Sequence, residues 1–184
     1  MKLRLKLVFG LTLVCGLAAC AGNTPPGAPA QTTNTPVAAN TPAAPTEKPT
    51  PAQIVRAQAD AVTVKAGASA EAQVRVRIEP GYHVNANPAT FSYLHATELK
   101  VQPDAGLTPG KPAYPPAVQR TFQFEKRPLA VYEGEATIRL PLRAAANAPK
   151  GAHTLRAQVH VQACDEERCF PPTDIAADIP VTIN

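Results

Sequence analysis

The sequence predicts an all-β protein, an antiparallel β-sandwich set behind a leader and a structureless tether. Three observations predict it. Runs in which apolar and polar residues alternate recur from about residue 61 to residue 183. Gly, Pro and Asn turns separate those runs. Proline is abundant, at 21 of 184 residues, and no convincing amphipathic helix appears. Aromatics make up only 5% and tryptophan is absent, so the core must rest on Val, Ile, Leu and Ala.

The chain opens on an export signal. Lys2, Arg4 and Lys6 form a positive start, and Leu7 to Leu17 is an apolar run too short to span a bilayer. It ends in Leu17-Ala18-Ala19-Cys20, small residues before a cysteine, as in a bacterial lipobox. Residues 1–19 are therefore expected to be a lipoprotein signal peptide, with Cys20 the lipidated first residue of the mature protein. Cys15 fits worse, because Val14 precedes it. The expected address is the cell envelope, on the periplasmic side, anchored through Cys20. Removing the three leader cations from a formal net charge of +4 leaves +1, which gives no case for a nucleic-acid partner. Outside the cytoplasm disulfides form and persist.

Residues 20–52 read as the lipidated cysteine and a disordered tether. Ala, Thr, Pro, Asn and Gln dominate, eight prolines fall between Pro25 and Pro51, and large apolar residues are missing. Such a segment cannot bury enough surface to offset the entropy of ordering. It reaches roughly 30 Å as a coil and roughly 100 Å fully extended.

Residues 53–184 are expected to form the folded domain. Ile54 to Ala61 reads as a helical turn or lead-in and Ala61 to Val64 as a first strand. Ala70 to Glu79 alternates cleanly, with Ala72, Val74, Val76 and Ile78 on one side. Pro80-Gly81 ends it. Thr97 to Gln102 is a short strand, and Asp104 to Pro116, rich in Gly and Pro, is expected to be loop. Val118 to Glu125 alternates again, Pro128 marks a loop, and Ala136 to Leu142 carries Ile138, Leu140 and Leu142 in phase. Thr154 to Ala163 and Ile175 to Ile183 complete seven or eight strands. That layout suits an immunoglobulin-like antiparallel sandwich.

The last two strands flank Gln162-Ala163-Cys164-Asp165-Glu166-Glu167-Arg168-Cys169-Phe170-Pro171-Pro172. Four residues between the cysteines suit a hairpin tip, across which a disulfide can close. With the odd residues from Leu155 to Ala163 facing the core, Cys164 is expected on the other face, with His160 and Gln162, where a partner can reach it. Such a bridge contributes roughly 2 kcal/mol by chain entropy, against nearly 5 for a hundred-residue loop. The spacing leans toward exchange chemistry, and small secreted hairpins carry structural bridges too. Asp165, Glu166 and Glu167 disfavour a thiolate and Arg168 opposes them, which suits a shuttle more than a free-standing oxidant. Phe170 could place its ring near the sulfurs.

Other chemistries fare worse. His160 lies about 13 Å along the strand from Cys164, too far for a Cys–His dyad. Two cysteines with remote histidines make a poor zinc set, so no metal is expected. No cofactor is expected, since no phosphate-binding loop is present. His83 and His95 read as turn or surface residues.

The chain resembles the N-terminal periplasmic domain of the thiol:disulfide interchange protein DsbD. Two stretches carry the likeness: Pro80-Gly81-Tyr82-His83-Val84-Asn85-Ala86-Asn87 with Thr97-Glu98-Leu99, and Tyr132-Glu133-Gly134 with Gln162-Ala163-Cys164 through Cys169-Phe170-Pro171-Pro172. The resemblance implies an immunoglobulin-like sandwich in which Cys164 and Cys169 are the redox pair, passing electrons to oxidised periplasmic proteins. It also implies a capping loop, here matched to Arg127 to Tyr132, where Tyr132 or Leu129 stands in for a phenylalanine. The protein is then a monomeric protein-disulfide reductase component, with its electron donor a separate membrane protein. The alternative is a non-enzymatic binding or adaptor sandwich whose Cys164–Cys169 disulfide is structural. Labelled palmitate is expected to enter the wild-type protein and not a Cys20→Ala variant.

Overall fold

The structure, a computed structural model, describes residues 49–184. The expected signal peptide, Cys20 and nearly all of the tether lie outside the described residues. The first element is a single helical turn, α1 (Pro51–Ile54), with Pro51 at a helix start that needs no amide donor and Thr50 bonded to Gln53. The rest is strand and turn. The lead-in expected from Ile54 is in fact a strand, β1 (Val55–Ala59), antiparallel to the long β3 (Ser69–Ile78). Between them lies β2 (Val62–Val64).

The two clearest sequence patterns form the centre of the first sheet. In β3, Ala72, Val74, Val76 and Ile78 are buried, and β9 (Glu135–Ala144) opposes them with Ala136, Ile138, Leu140 and Leu142. The sheet runs β1-β3-β9-β6, with β6 (Leu107–Pro109) at its edge, and that edge is a correction to the sequence reading. Leu107–Pro109, inside the expected loop, is the strand β6, paired with β9 from Leu107↔Ala144 to Pro109↔Leu142. Gly106, at φ 71°, turns the chain into it, and Pro109 sits at an edge strand's end, where the ladder tolerates a missing donor.

Three further short ladders complete the chain. The last strand, β14 (Ile179–Ile183), pairs antiparallel with β10 (Gly151–Leu155) and parallel with β2. Strand β11 (Ala157–Val161) lies between β5 (Glu98–Val101) and β13 (Thr173–Ala176). The fourth sheet runs β12-β4-β8-β7, from β12 (Ala163–Cys164) through β4 (His83–Asn85) and β8 (Glu125–Tyr132) to β7 (Val118–Phe122). Here too the sequence reading is corrected, because Arg127 to Tyr132 is strand rather than loop. The ladder of β7 with β8 is irregular between Arg120 and Phe122, and Pro128 falls in that bulge, where its missing amide costs no ladder bond.

One apolar core joins all four sheets, with Val74, Ile138, Leu140, Leu155, Val159, Val161, Ile179 and Val84 among its buried members. This is the all-β sandwich expected from the sequence, built from more and shorter strands. A second, smaller cluster of Phe122, Leu129 and Val131, packed by Phe91 and Leu94, covers the outer side of the fourth sheet. Ile138→Ala, at a fully buried site in β9, is expected to cost about 2–5 kcal/mol, read as a lower urea midpoint at unchanged slope.

Candidate functional site

The strand leading to the first cysteine breaks before it arrives. Strand β11 ends at Val161, Gln162 intervenes, and β12 pairs with β4 through Ala163↔Val84 and Cys164↔His83. The chain then turns over Asp165 to Arg168, and Cys169 returns opposite Cys164 as an antiparallel bridge. Phe170 N–H donates to Ala163 O at 2.8 Å and Asp165 N–H donates to Arg168 O at 2.9 Å, which closes the turn. The Asp165 carboxylate accepts from the amides of Glu167 and Arg168, each at 2.8 Å. One of the three acids is thus occupied in shaping the turn, a side-chain role that aspartate fills readily. Cys164 and Cys169 are joined by a disulfide, with Cα atoms 3.9 Å apart, closer than the expected range for a bridged pair.

The two sulfurs have different surroundings. Cys164 is fully buried, which corrects the expectation that it faces outward to a partner. The alternation continues past Val161, but its outer face is roofed by the β7–β8 hairpin. His83, the cross-strand neighbour of Cys164, marks that roof: it is 2% exposed and its ring stacks on Phe122 at 3.8 Å. His83 is therefore a buried strand residue, not the turn or surface residue expected. Burial pushes its imidazole down from the ordinary value to about 4, against the charges of Glu133 and Asp165, which pull the other way.

Cys169 is partly exposed and lines a cavity of about 440 Å³ with Tyr93, Leu94, Phe124, Leu129 and Arg168. Leu129, one of the residues named as a shield, belongs to that wall. Tyr132 does not; it is buried in the main core and its hydroxyl accepts from Asn87 N–H at 3.1 Å. Phe170, the third, packs against the main core beside Tyr82, with ring centres 6.0 Å apart. Phe124, a few residues before the Arg127 to Tyr132 stretch, stands at the tip of the β7–β8 hairpin, 38% exposed, and also lines the cavity.

A latch holds the cavity wall. The Arg127 guanidinium lies 3.9 Å over Phe91 and donates to Glu125 at 3.0 Å, while Tyr93 O–H donates to Glu125 at 2.9 Å. Those donors, Arg127 foremost, hold the Glu125 carboxyl down at about 2. On the other side, Asn85 Nδ2 donates to His95 O and Gln162 Oε1, and Gln162 Nε2 donates to Phe170 O at 3.3 Å. Thr97 Oγ1–H donates to Asn85 O at 2.7 Å. The sequence reading missed His83, Tyr93 and Phe124. The clustered Phe122 and Phe124 were the available signal for the hairpin tip. Among the described residues no group of three or more His, Cys, Asp or Glu side chains is placed to hold a metal ion.

Residues 51–179 match the family described as thiol:disulfide interchange protein DsbD, N-terminal. The chain belongs to this family. Its tip disulfide thus sits in a DsbD N-terminal domain of the all-β sandwich type. Among solved structures, the reduced DsbD N-terminal domain of Neisseria meningitidis is 23% identical over 72% of this chain and 90% of that chain, with a TM-score of 0.47. The same organism's DsbD N-terminal domain in complex with the PilB N-terminal domain gives 22% identity, 72% and 87% coverage and a TM-score of 0.46. The N-terminal periplasmic domain of ScsB from Proteus mirabilis gives 12%, with 67% of this chain and 45% of that chain covered, at 0.49. No curated protein matches the chain.

The lowered His83 value sets a pH dependence. The unfolded chain binds a proton near the ordinary value of 6.5, and the folded chain only near 4. Stability from this residue is therefore complete above about pH 6.5 and is lost as pH falls toward 4. Urea titrations of the disulfide form are expected to show the wild type losing about 2–3 kcal/mol more than His83→Phe between pH 7 and pH 4.

Proposed function

We propose that this DsbD-family domain is a membrane-tethered, periplasmic thiol:disulfide exchange module that passes electrons through Cys164 and Cys169 to oxidised partner proteins. The observation that carries the reading is the unequal burial of two bonded sulfurs: Cys164 is sealed and Cys169 opens on a cavity walled by Tyr93, Leu94, Phe124 and Leu129 and rimmed by Glu125, Gln162, Glu167 and Arg168. A disulfide is exchanged by attack of a thiolate on sulfur, so one end must be reachable and the other must be held close enough to resolve the mixed disulfide. The family assignment supports the same chemistry. In the reduced domain Cys169 is the attacking residue, and Cys164 closes on it afterwards. Tyr93 and Phe124, both large and exposed, stand at the cavity where a partner's backbone would lie. Electrons enter by the reverse reaction from a reduced dithiol protein at the membrane. The tether from a lipidated Cys20 keeps the domain within reach of such a donor.

Single-cysteine variants test this. Cys164→Ser, which leaves Cys169 free, is expected to accumulate mixed disulfides with envelope proteins on non-reducing gels. Cys169→Ser is expected to accumulate few, its remaining thiol being buried. A glutathione equilibrium is expected to give a reduction potential above about −250 mV. A value below about −300 mV, with no trapped partner in either variant, marks a structural bridge and the adaptor function instead.

A further inference from the structure

Among the described residues two buried side-chain atoms lack a hydrogen-bond partner, His83 Nε2 and Asn85 Oδ1. Both belong to β4, the strand that pairs with the first cysteine. A buried polar atom left unpaired is costly, and native structures carry few of them without cause. The Asn85 amide is engaged through Nδ2. His83 is different, because it stands opposite Cys164 in the ladder. Opposed residues in an antiparallel pair share a face, with Cβ atoms roughly 4.5–5.5 Å apart. Phe122 fixes the imidazole plane from one side. In the disulfide neither sulfur has a hydrogen to offer. In the dithiol, Cys164 gains an S–H at a position sealed from water.

We propose that His83 Nε2 accepts the Cys164 S–H in the dithiol state and takes its proton as Cys164 closes on Cys169. This rests on the exchange function proposed above and names the residue that lets its buried half work. A Cys169 thiolate attacks one sulfur of a partner disulfide; the mixed disulfide forms, the partner's bond breaks, and its second sulfur leaves as a thiolate that is protonated by water. Cys164 then gives its proton to Nε2 while its sulfur attacks Cys169 Sγ. The Cys164–Cys169 bond forms and the mixed disulfide breaks. The departing partner thiolate takes a proton, and the imidazolium releases its own. Two electrons have moved, the domain's dithiol being oxidised and the partner's disulfide reduced.

The charges around the imidazole fit this role. Asp165 follows Cys164 on the tip, and Glu133, paired with Arg120 of β7, sits in the β8–β9 turn. Arg168 faces Asp165 at 3.8 Å across the tip. Both carboxylates favour an imidazolium, yet burial dominates and leaves the ring neutral at physiological pH. With the single ring proton on Nδ1, as the proposal requires, Nε2 presents a lone pair, and the ring charges only against a nascent thiolate of opposite sign.

The test uses the full chain with the leader cysteines replaced (Cys15→Ser, Cys20→Ser), reduced and mixed with 5,5′-dithiobis(2-nitrobenzoate). Coloured thiolate is released twice, first by Cys169 attack and then by Cys164 closure. His83→Phe preserves the ring stack on Phe122 and is expected to leave the first release within about twofold while slowing the second by at least about tenfold at pH 7. His83→Gln, which offers an acceptor but no base, is expected to stay slow. In the wild type the Nε2 nitrogen resonance of His83 is expected to move between disulfide and dithiol, and a reduced Cys164→Ala variant, which has no S–H at that position, is expected not to reproduce the dithiol value. A second release within twofold of wild type in both His83 variants, or a nitrogen resonance indifferent to the redox state, overturns the assignment. If the wild type itself releases nothing from Cys169, the exchange function fails instead, and the two failures are told apart by the first phase alone.

Discussion

The two-residue ladder between β12 and β4 is the constraint on which the site depends. It is short, pairing only Ala163 with Val84 and Cys164 with His83. Yet it brings residues some eighty positions apart into one layer. Ala163 and Val84 anchor the pairing in the main core, and the next pair outward is the chemistry. Because side chains alternate across a strand, the residue after an anchored Ala163 must point to the opposite face. What covers that face is decided by another part of the chain, the β7–β8 hairpin, whose Phe122 stacks on His83 beside Cys164.

The core strands were legible because one face of each meets a single continuous core. Val74, Val76, Ile138 and Leu140 alternate with charged or polar neighbours and pair as the pattern requires. The cysteine pair was equally legible, since four polar residues between two cysteines, followed by Phe170-Pro171-Pro172, leave a hairpin tip as the simplest arrangement. The family resemblance drawn from the Pro80–Asn87 and Gln162–Pro172 stretches was matched over residues 51–179. The hydrogen bonds explain why those stretches go together: Asn85, Asn87, Thr97 and Gln162 stitch them into one unit.

What was not legible depended on packing between distant segments. Pro128 argued for a loop, but a bulge absorbs its missing donor and the strand passes through. Strand β6 is three residues among glycines and prolines, too short for any periodicity to show. His83 read as a turn or surface residue. Its burial comes from Phe122, thirty-nine positions later, and no local pattern announces that contact. The face of Cys164 was read correctly in parity and wrongly in exposure for the same reason: a sheet face is open only if nothing else in the chain covers it.

The latch of Arg127, Glu125, Tyr93 and Phe91 has a mechanical consequence. The latch adds exposed polar and cation–π contacts to the small apolar cluster under the cavity wall, and such exposed contacts contribute little to overall stability in water. The main core beneath does not share them. Displacing the Phe91–Leu94 segment therefore gives up the latch and part of the smaller cluster while leaving the main core packed. The domain thus has two separable stores of packing, a large core that holds the frame and a small one that holds the wall beside Cys169.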